Sequence, residues 1–379
     1  MTDLLELRNE IDEIDDKIVE LFERRMRVSS EVADYKIKVG KAVFDKQREL
    51  EKIQKVKDKA TTVFNKHGVE AMFGQVMNIS RMLQYGLIAG QEKLTQGFSI
   101  FDLDKTGDMT VVYTGVKGAY AQQAMEGFFG EDVKNYNVGT FKEAMEAVQD
   151  NRADYGVLPI ENSSTGMVSD VYDLLETHNN YIVGEYVVKI EHALLGIKGS
   201  CIEDIKTVYS HPQGLMQCAE FLEKKDWHRV SLHNTAQGAQ KVLNDQNKTQ
   251  AAIASMRAAR YYGLEVLRSR INDVDNNSTR FIVVANKKVF VKDADKISIC
   301  FELPHASGTL YNILSHFIFN DLSMSKIESR PIKGEKWRYR FFVDFGGNLN
   351  DQAVKNAIKG ISSETVNFRI LGNYIGQDE

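Results

Sequence analysis

The sequence lacks the features that mark membrane, secreted, metal-binding and nucleic-acid-binding proteins. Its three cysteines, Cys201, Cys218 and Cys300, lie far apart and form no CxxC or zinc-ligand pattern, so we expect reduced thiols and no metal. No run of about 18 apolar residues occurs, so no membrane span is predicted. The charged start lacks the apolar core of a signal peptide, which predicts a cytoplasmic protein. The net charge of -5 does not favour a nucleic-acid partner.

The pattern that would indicate a dinucleotide cofactor is also missing. No G-x-G sequence occurs, and the nearest candidate, residues 115–120, lacks the full fingerprint. Hydride transfer to a nicotinamide is therefore disfavoured, and no cofactor is expected. What remains is an ordinary globular composition, with 43% hydrophobic and 27% charged residues. The length of 379 residues fits about two or three domains.

Apolar residues at three- and four-residue spacing predict an all-α domain over residues 1–90. Three helices are expected, over residues 4–38, 45–67 and 69–87, with Gly40 ending the first. A helix of about 35 residues is a rod of roughly 50 Å, whereas a 90-residue globule is only ~30 Å across. The first helix cannot bury its apolar stripe within one domain, so we expect a homodimer or a higher homo-oligomer. A coiled coil that only dimerises remains open on this pattern.

The rest of the chain divides by periodicity. Residues 91–108 carry scattered glycine and polar residues and are interpreted as a linker without the proline content that would stiffen it. From 109 to 287 short β-branched runs alternate with helical stretches. This predicts a two-lobed α/β domain with a mostly parallel sheet and a ligand cleft between the lobes. From 295 to 379 the predicted order is βαββαβ, the order of a ferredoxin-like α+β plait.

Two cations interrupt the apolar stripe of the first predicted helix. Arg25 stands where an apolar residue belongs, and Lys36 lies about three turns later on the same face. A buried cation is costly unless an anion meets it, so both indicate an anion site, unless they snorkel at a dimer seam. Further polar residues occupy the first turn of the second helix and an apolar face of the third: Asp45, Arg48, Glu49, Ser80 and Gln84. Caps and surface pairs would explain the first three, whereas the last two need partners.

These residues resemble the all-helical chorismate mutase family over residues 1–90. The resemblance implies that Arg8 and Arg25 hold substrate carboxylates, with Arg8 serving the partner subunit's site. It implies that Lys36 and Gln84 meet the ether oxygen. The remaining implied substrate-binding residues are Arg48 near a carboxylate, Asp45 and Glu49 near the hydroxyl, and Ser80. The rearrangement of a dianion needs a compact conformer and positive charge where oxygen gains electron density, and neither a nucleophile nor proton transfer.

Three polar motifs in the α/β segment lie where predicted strands begin or end. They are Pro-Ile-Glu-Asn-Ser-Ser-Thr-Gly at 159–166, Ser-His-Pro-Gln at 210–213 and Asn-Asn-Ser-Thr-Arg-Phe at 276–281. Each has an ordinary explanation: a polar turn that caps a helix, a capping box with a proline inside it, and an Asx turn. These explanations account less well for Gln217, which follows the second motif.

Together the motifs resemble prephenate dehydratase over residues 109–286, with Thr279-Arg280-Phe281 as the most specific signature. In that reaction carbon dioxide and hydroxide leave together, and the enzyme must donate a hydrogen bond or proton to the departing hydroxyl. The resemblance implies Thr279 for this role, and it gives Ala121, where many relatives carry serine, none. The implied substrate-binding residues are Asn162, Ser163, Ser210, Gln213, Gln217, Arg280 and Phe281, with Arg280 pairing with a carboxylate.

The last segment resembles an ACT domain, a small sensor of metabolites. Residues 308–311 and 328–331 are similar to phenylalanine-binding versions, although a helix start and a strand end with a buried arginine would also explain them. The implied effector-binding residues are Gly308, Leu310, Glu328, Ser329, Arg330 and Pro331. Thr309, Ser323 and Met324 depart from the residues that are usual in relatives.

The three resemblances together imply an enzyme of phenylalanine biosynthesis with two activities. Chorismate would become prephenate, prephenate would become phenylpyruvate, and L-phenylalanine would inhibit by binding between paired C-terminal segments. We expect the dehydratase to respond more than the mutase, because a linker separates the mutase from the sensor. Two alternatives are a dehydratase whose helical domain only dimerises and a two-lobed amino-acid-binding module without chemistry. The joint presence of the mutase residues disfavours the first alternative, and the Thr279 tripeptide beside them disfavours the second.

Overall fold

The computed structural model describes residues 3–89, 96–102, 108–304, 306 and 308–377. The described part of the chain divides into two compact units. The first unit combines Met1–Gly97 with Lys296–Ile370, and the second combines Phe98–Asp295 with Leu371–Glu379. Segments that are far apart in the sequence therefore share one unit, and each unit is described separately below.

The N-terminal part of the first unit is helical: α1 (Leu4–Val39), α2 (Lys46–Lys57) and α3 (Val63–Ala89). Gly40 ends α1 in the left-handed conformation at φ 66°, as predicted. The predicted boundary between the second and third helices is wrong. Thr62 Oγ1 accepts from Asn65 N and starts α3 early, so Gly68 lies inside that helix at a cost of ~1 kcal/mol relative to alanine.

Helix α1 leaves its apolar stripe uncovered within a single chain. Of its residues, all of which the structure describes, Ser29 and Ala33 alone are buried. Five stripe residues are between 44% and 63% exposed: Leu7, Ile11, Ile14, Ile18 and Leu21. The argument from length is therefore confirmed, because the helix is too long for its own unit to cover it. None of the described helices combines the length and apolar character needed to cross a membrane.

The second unit contains thirteen described strands and seven α-helices. Its strands are β1 (Ser99–Ile100), β2 (Thr110–Thr114), β3 (Lys134–Val138), β4 (Tyr155–Asn162), β5 (Gly166–Met167), β6 (Tyr181–Lys189), β7 (His192–Gly196), β8 (Thr207–Ser210), β9 (His228–Ser231), β10 (Gln250–Ser255), β11 (Glu265–Arg268), β12 (Ser278–Ala285) and β13 (Val289–Phe290). Its helices are α4 (Tyr120–Phe129), α5 (Phe141–Gln149), α6 (Ser169–Thr177), α7 (Pro212–Met216), α8 (Ala219–Glu223), α9 (Thr235–Asp245) and α10 (Met256–Tyr262). Of the predicted linker, residues 91–95 and 103–107 lie outside the described residues, and β1 falls within the remainder.

Two larger sheets form the two lobes of this unit, with strand orders β6-β12-β4-β2-β3 and β11-β7-β10-β8-β9. The expectation of a mostly parallel sheet is wrong, because both sheets are mixed. Strand β2 runs parallel to β3 and β4, and β8 runs parallel to β9 and β10. Strand β12 runs antiparallel to β4 and β6, and β7 runs antiparallel to β10 and β11. Apolar periodicity predicts that a strand exists, but it does not encode the direction in which the chain enters the sheet.

The two lobes have separate cores. Val111, Tyr113 and Phe281 belong to the cluster around the first sheet. On β10, Ala252 and Ala254 join one cluster, while Ala251 and Ile253 join another. Because successive side chains of a strand point to opposite faces, the second sheet is buried on both sides. The uninterrupted apolar run of β10 is the sequence signature of that burial.

The C-terminal part of the first unit follows the order βαββαβ. Its elements are β14 (Lys296–Glu302), α11 (Thr309–Phe319), β15 (Met324–Pro331), β16 (Tyr339–Gly346), α12 (Gln352–Glu364) and β17 (Val366–Tyr374), although residues 371–374 of β17 belong to the second unit. The strands are arranged β15-β16-β14-β17. Helices α11 and α12 pack against α3, where Asn78 Nδ2 donates to Ser315 Oγ at 2.7 Å and Arg81 Nε lies 2.9 Å from Glu364 Oε1. The expectation that a linker keeps the helical segment away from this segment is therefore wrong.

Candidate active sites

The first unit contains a cavity of about 700 Å³ between α1, α2 and α3. The predicted residues that line it are Arg25, Lys36, Asp45, Arg48, Glu49, Ser80 and Gln84. Among the described residues, its lining holds seven basic and three acidic side chains, so it suits a ligand with two negative charges. Arg8 is exposed on α1 and is not part of this lining.

The cations of α1 are anchored by neutral groups of other segments. Arg25 donates through NH1 to Val76 O at 3.0 Å and to Ser80 Oγ. Lys36 Nζ donates to Val43 O at 2.6 Å. Burial lowers the pKa of Lys36, and the nearby charges of Lys41 and Arg48 lower it further. Both cations are thus held by partners that do not neutralise them, which preserves their charge for an anion in the cavity.

Gln84 lies one turn beyond Ser80 on α3, and the two ends of its side-chain amide differ in their hydrogen bonding. Its Nε2 donates to Ser80 O at 3.2 Å. Its Oε1 is buried and has no hydrogen-bond partner among the described residues. A buried amide with one unpaired atom is a group that a ligand can complete.

Sequence reasoning missed Arg81, which also lines this cavity. The side chain is 6% exposed and meets two carboxylates, Glu49 at 2.5 Å and Glu364 at 2.9 Å. Its guanidinium carbon lies 5.0 Å from the centre of the Phe44 ring. An arginine close to Met77, Met82 and Tyr85 on the third predicted helix was the available signal. The sequence did not indicate that one of its partners comes from the C-terminal segment.

The second unit contains another cavity of about 700 Å³, lined by both of its sheets and by the helices that follow them. Five predicted residues line it: Asn162, Gln213, Gln217, Thr279 and Phe281. Ala121, in the first turn of α4, lines it as well. The cleft expected between two lobes is therefore present.

Thr279 and Asn162 face each other across paired strands. Residue 279 of β12 is the register partner of residue 162 of β4. Asn162 Nδ2 donates to Thr279 Oγ1 at 2.9 Å, while Asn162 Oδ1 accepts from Ser164 N and Thr165 N at 3.1 Å each. Because the threonine oxygen is already an acceptor, its own hydrogen is directed elsewhere.

Three predicted residues are not brought into this cavity. Arg280 follows Thr279 on β12, so its side chain leaves the opposite face, where it lies 3.8 Å from Glu185 and 3.9 Å from Glu161. Ser210 is fully buried and donates to Ile253 O at 2.7 Å. Ser163 is exposed and accepts from Ser278 N at 2.9 Å, which ties the turn after β4 to β12. All three side chains therefore lie outside the described lining of this cavity.

A neutral network that sequence reasoning missed forms one wall of the cavity. His192 Nε2 lies 3.0 Å from Gln217 Oε1, and His192 Nδ1 lies 3.1 Å from the hydroxyl of Tyr120. Gln217 Nε2 extends the network by donating a hydrogen bond to Ser164 Oγ at 3.1 Å. Burial lowers the pKa of His192, so its imidazole is neutral near pH 7. A histidine at the start of a buried strand was the signal, although a core histidine gives the same pattern.

No lysine or arginine lines this second cavity within the described residues. Three helices of nine or more residues instead begin at its wall, and their N-caps, Ala119, Thr140 and Asn234, all line it. The first-turn N–H groups of a helix lack partners within the helix and carry partial positive charge. They provide a means of holding carboxylates without a cation.

The predicted effector residues lie on α11 and β15 of the first unit. Gly308 caps α11 in the left-handed conformation at φ 78°, and Leu310 lies in the first turn of that helix. Glu328, Ser329, Arg330 and Pro331 form the end of β15, which is the edge strand of the described sheet in this unit. An edge strand leaves backbone groups for pairing with another chain.

Comparison with known proteins gives two family models that match the chain. The model described as Chorismate mutase type II matches residues 7–85, and the model described as Prephenate dehydratase matches residues 111–289. The curated Bifunctional chorismate mutase/prephenate dehydratase of Aquifex aeolicus (strain VF5) is 32% identical over 381 residues, covering 99% of this chain and 98% of its own.

Two further proteins match a smaller share of the chain. Arogenate dehydratase 2 of Petunia hybrida is 37% identical over 283 residues, covering 70% of this chain and 71% of its own. The crystal structure of prephenate dehydratase in complex with L-Phe from Arthrobacter aurescens is similar, with a TM-score of 0.66 and 29% identity. That similarity covers 70% of this chain and 90% of the other.

Proposed function

The chain belongs to the bifunctional chorismate mutase/prephenate dehydratase family, and we propose that its two cavities perform the two successive reactions. The first cavity rearranges chorismate to prephenate. The second converts prephenate to phenylpyruvate with loss of carbon dioxide and hydroxide. One observation carries this assignment: the residues implied for each reaction line the same cavity. Arg25 and Lys36 of α1 line the first cavity, and Thr279 and Asn162 line the second.

In the mutase cavity Arg25 and Arg48 hold the carboxylates of chorismate, while Lys36 and Gln84 meet the ether oxygen. Gln84 reaches this role by rotating its side chain so that Nε2 points at the ether oxygen, which gives up its 3.2 Å bond to Ser80 O. Asp45 and Glu49 accept from the substrate hydroxyl. Positive charge at the breaking C–O bond stabilises the transition state more than the ground state, which is what accelerates a reaction without proton transfer.

We also propose that the working form is a dimer built on α1. Helix α1 carries both the exposed apolar stripe and two residues of the cavity lining, Arg25 and Lys36. Arg8 lies near the exposed end of that helix, outside its own chain's cavity, and in a dimer it completes the cavity of the partner. A second copy would cover the apolar side chains that a single chain leaves in water.

In the dehydratase cavity Thr279 donates its hydroxyl hydrogen to the departing hydroxyl of prephenate. Asn162 positions Thr279 for this step by occupying its oxygen as an acceptor. The carboxylates lie at the N-termini of α4, α5 and α9, and Gln213 and Gln217 orient the ring. Because the driving force is formation of the aromatic ring, the side chains need to orient the substrate and stabilise leaving hydroxide, and neutral donors suffice. Arg280, Ser163 and Ser210 support the cavity from outside.

The C-terminal segment is proposed to be an ACT domain of ferredoxin-like topology that binds L-phenylalanine between two copies. Its element order, its edge strand β15 and the complex of the similar prephenate dehydratase with L-Phe support this proposal. Gly308 lets the backbone approach the ligand closely, and residues 328–331 form the opposing wall. Binding inhibits only if phenylalanine favours an inactive arrangement over an active one. The cytoplasmic location remains a prediction from the sequence.

The test is to give the purified protein chorismate, prephenate and arogenate in separate reactions and to identify the products. We expect phenylpyruvate from both chorismate and prephenate. Turnover of prephenate without turnover of chorismate would support a dehydratase whose helices only dimerise. Preference for arogenate, the substrate named for the Petunia relative, would change the substrate of the second cavity and leave the mutase assignment standing.

A further inference from the structure

Arg81 links three elements through its three guanidinium nitrogens. Its NH1 donates to Glu49 on α2, its Nε donates to Glu364 at the end of α12, and its NH2 donates to Asn78 on its own helix at 3.1 Å. The planar fork fixes the directions of all three bonds at once. Glu49 is therefore held in one orientation by an arginine whose own orientation depends on the C-terminal segment.

The Glu364 side chain is built into this contact. It is 5% exposed, and its Oε1 also lies 3.5 Å from His316 Nε2 of α11. Burial alone would raise the pKa of the Glu364 carboxyl, but the hydrogen bond with His316 and the charge of Arg81 together lower it. A buried carboxylate between two such partners stays ionised and keeps the guanidinium of Arg81 in place.

We propose that Glu364 and Arg81 are positioning residues of the mutase reaction, and that they hold Glu49 in the orientation that accepts from the hydroxyl of chorismate. The inference rests on the proposed role of Glu49. It assigns part of the mutase site to the C-terminal segment. The chorismate mutase family model matches residues 7–85 and does not include that segment. The bond to Arg81 uses Glu49 Oε2, so Glu49 Oε1 is available to the substrate.

The contact predicts a specific kinetic signature. The hydroxyl of chorismate is present in the ground state and the transition state alike, so loosening its acceptor weakens binding in both. A variant that releases Glu49 should therefore raise KM with little change in kcat. Loss of folded protein would instead lower the apparent kcat, because it lowers the active fraction, and it would leave KM unchanged.

The experiment measures mutase kinetics for Glu364→Gln, Glu49→Gln and the double variant, all in the full-length chain. We expect each single variant to raise KM for chorismate roughly ten- to a hundredfold, the loss typical of a charged hydrogen bond. The double variant should be no worse than Glu49→Gln alone, since Glu364 acts through Glu49. Dehydratase activity on added prephenate serves as the measure of folded protein.

A matched control is Glu302→Gln. Glu302 is another buried carboxylate of the C-terminal segment, 3% exposed, and its described hydrogen bonds go to Arg338, Arg340 and Asn367 of that same segment. This variant should leave KM unchanged. An unchanged KM in Glu364→Gln beside a raised KM in Glu49→Gln would overturn the inference and leave the proposed mutase site standing. Additive effects in the double variant would also overturn it. No effect of Glu49→Gln would contradict the proposed role of Glu49 itself.

Discussion

The hydroxyl of Thr279, the proposed donor, is oriented by an amide and not by a charged base. Asn162 is 7% exposed and is itself fixed by the turn that follows β4, so the threonine cannot turn its lone pairs to the substrate without losing that bond. The tripeptide that contains Thr279 was recognisable in the sequence. The pairing with Asn162 was not, because it depends on the register between β4 and β12, two strands separated by more than 100 residues.

Replacing Thr279 with valine keeps the branched shape and removes the hydroxyl. We expect chorismate to be converted to prephenate, which accumulates, while phenylpyruvate formation is lost. Product analysis by chromatography measures this directly. Thr177→Val is the matched control, since the Thr177 hydroxyl bonds to Asp173 O within α6 and should be dispensable. Normal phenylpyruvate formation by Thr279→Val would eliminate this hydroxyl as the donor.

Lys36 gives the mutase a predictable pH dependence. The charged form carries the proposed function, and burial lowers its pKa below the ordinary lysine value. Turnover should therefore be retained at low and neutral pH and lost as pH rises through the lowered pKa. Lys36→Ala should reduce kcat roughly 10²–10³-fold. Lys36→Arg should move the alkaline limb to higher pH, because a guanidinium stays charged.

The control for this series is Lys38→Ala, which removes an exposed cation from the same helix outside the cavity lining. It should leave mutase turnover unchanged. An alkaline limb that stays at the same pH in Lys36→Arg would show that another group titrates. Unchanged turnover in Lys36→Ala would remove the mutase function from this cavity.

At the scale of elements, α1 and β12 show what periodicity does and does not predict. The 3.6-residue repeat of α1 was visible in the sequence, and so was the excess of its length over the size of one domain. On β12 the alternation of faces separates Thr279 and Phe281 from Arg280, which pairs with Glu161 and Glu185. The sequence motif 279–281 was interpreted as three residues of one site. Because successive side chains of a strand point to opposite faces, Arg280 must lie on the face away from Thr279 and Phe281.

A dimer built on α1 predicts that mixed subunits recover mutase activity. Arg8→Ala and Lys36→Ala should each be inactive as chorismate mutases. When they are mixed and allowed to exchange, half of the dimers are mixed, and each mixed dimer has one site with both an intact Arg8 and an intact Lys36. About a quarter of the wild-type turnover should return. Absence of recovery in exchanged dimers would place Arg8 in its own chain's site.

The same helix offers a direct test of association. Ile18→Lys places a charge in the exposed stripe, where Ile18 is 51% exposed in the single chain, and should dissociate the dimer. Asp16→Lys introduces the same side chain on the opposite side of the helix and should not. Sedimentation of both variants measures the change, and a dimeric Ile18→Lys protein would mean that another surface holds the copies together.

At the scale of the whole molecule, the order of segments along the chain led to a wrong prediction about where the mutase helices lie. A linker in the sequence suggested that the mutase helices lie away from the sensor. In the structure α3 packs on α11 and α12, through contacts between residues such as Asn78 and Ser315 that are 237 positions apart. Periodicity identifies an element from its neighbours in sequence, but contacts over such separations depend on shape and polar pairing across the fold.

Feedback inhibition should accordingly reach both activities. Gly308→Val forces a β-branched residue into a left-handed conformation at the start of α11, although no described atom lies within 4 Å of the added Cβ. We expect the phenylalanine concentration for half-inhibition to rise roughly tenfold or more, with basal turnover retained. Gly334→Val is the matched control, because Gly334 has φ 85° and equally open surroundings. A titration with phenylalanine and tyrosine, in which tyrosine inhibits more strongly, would contradict the effector assignment.

The central claim, that one chain carries two separate active sites for consecutive reactions, is tested most directly by mixing two defective variants. Lys36→Ala, Thr279→Val and an equal mixture are each given chorismate, and prephenate and phenylpyruvate are quantified against the spontaneous reaction. The account predicts no phenylpyruvate from Thr279→Val, which accumulates prephenate, and roughly 10²–10³-fold less than wild type from Lys36→Ala. The mixture should form phenylpyruvate readily, because prephenate made at one site is consumed at the other. Formation of phenylpyruvate from chorismate by Lys36→Ala alone, at the wild-type rate, would contradict it.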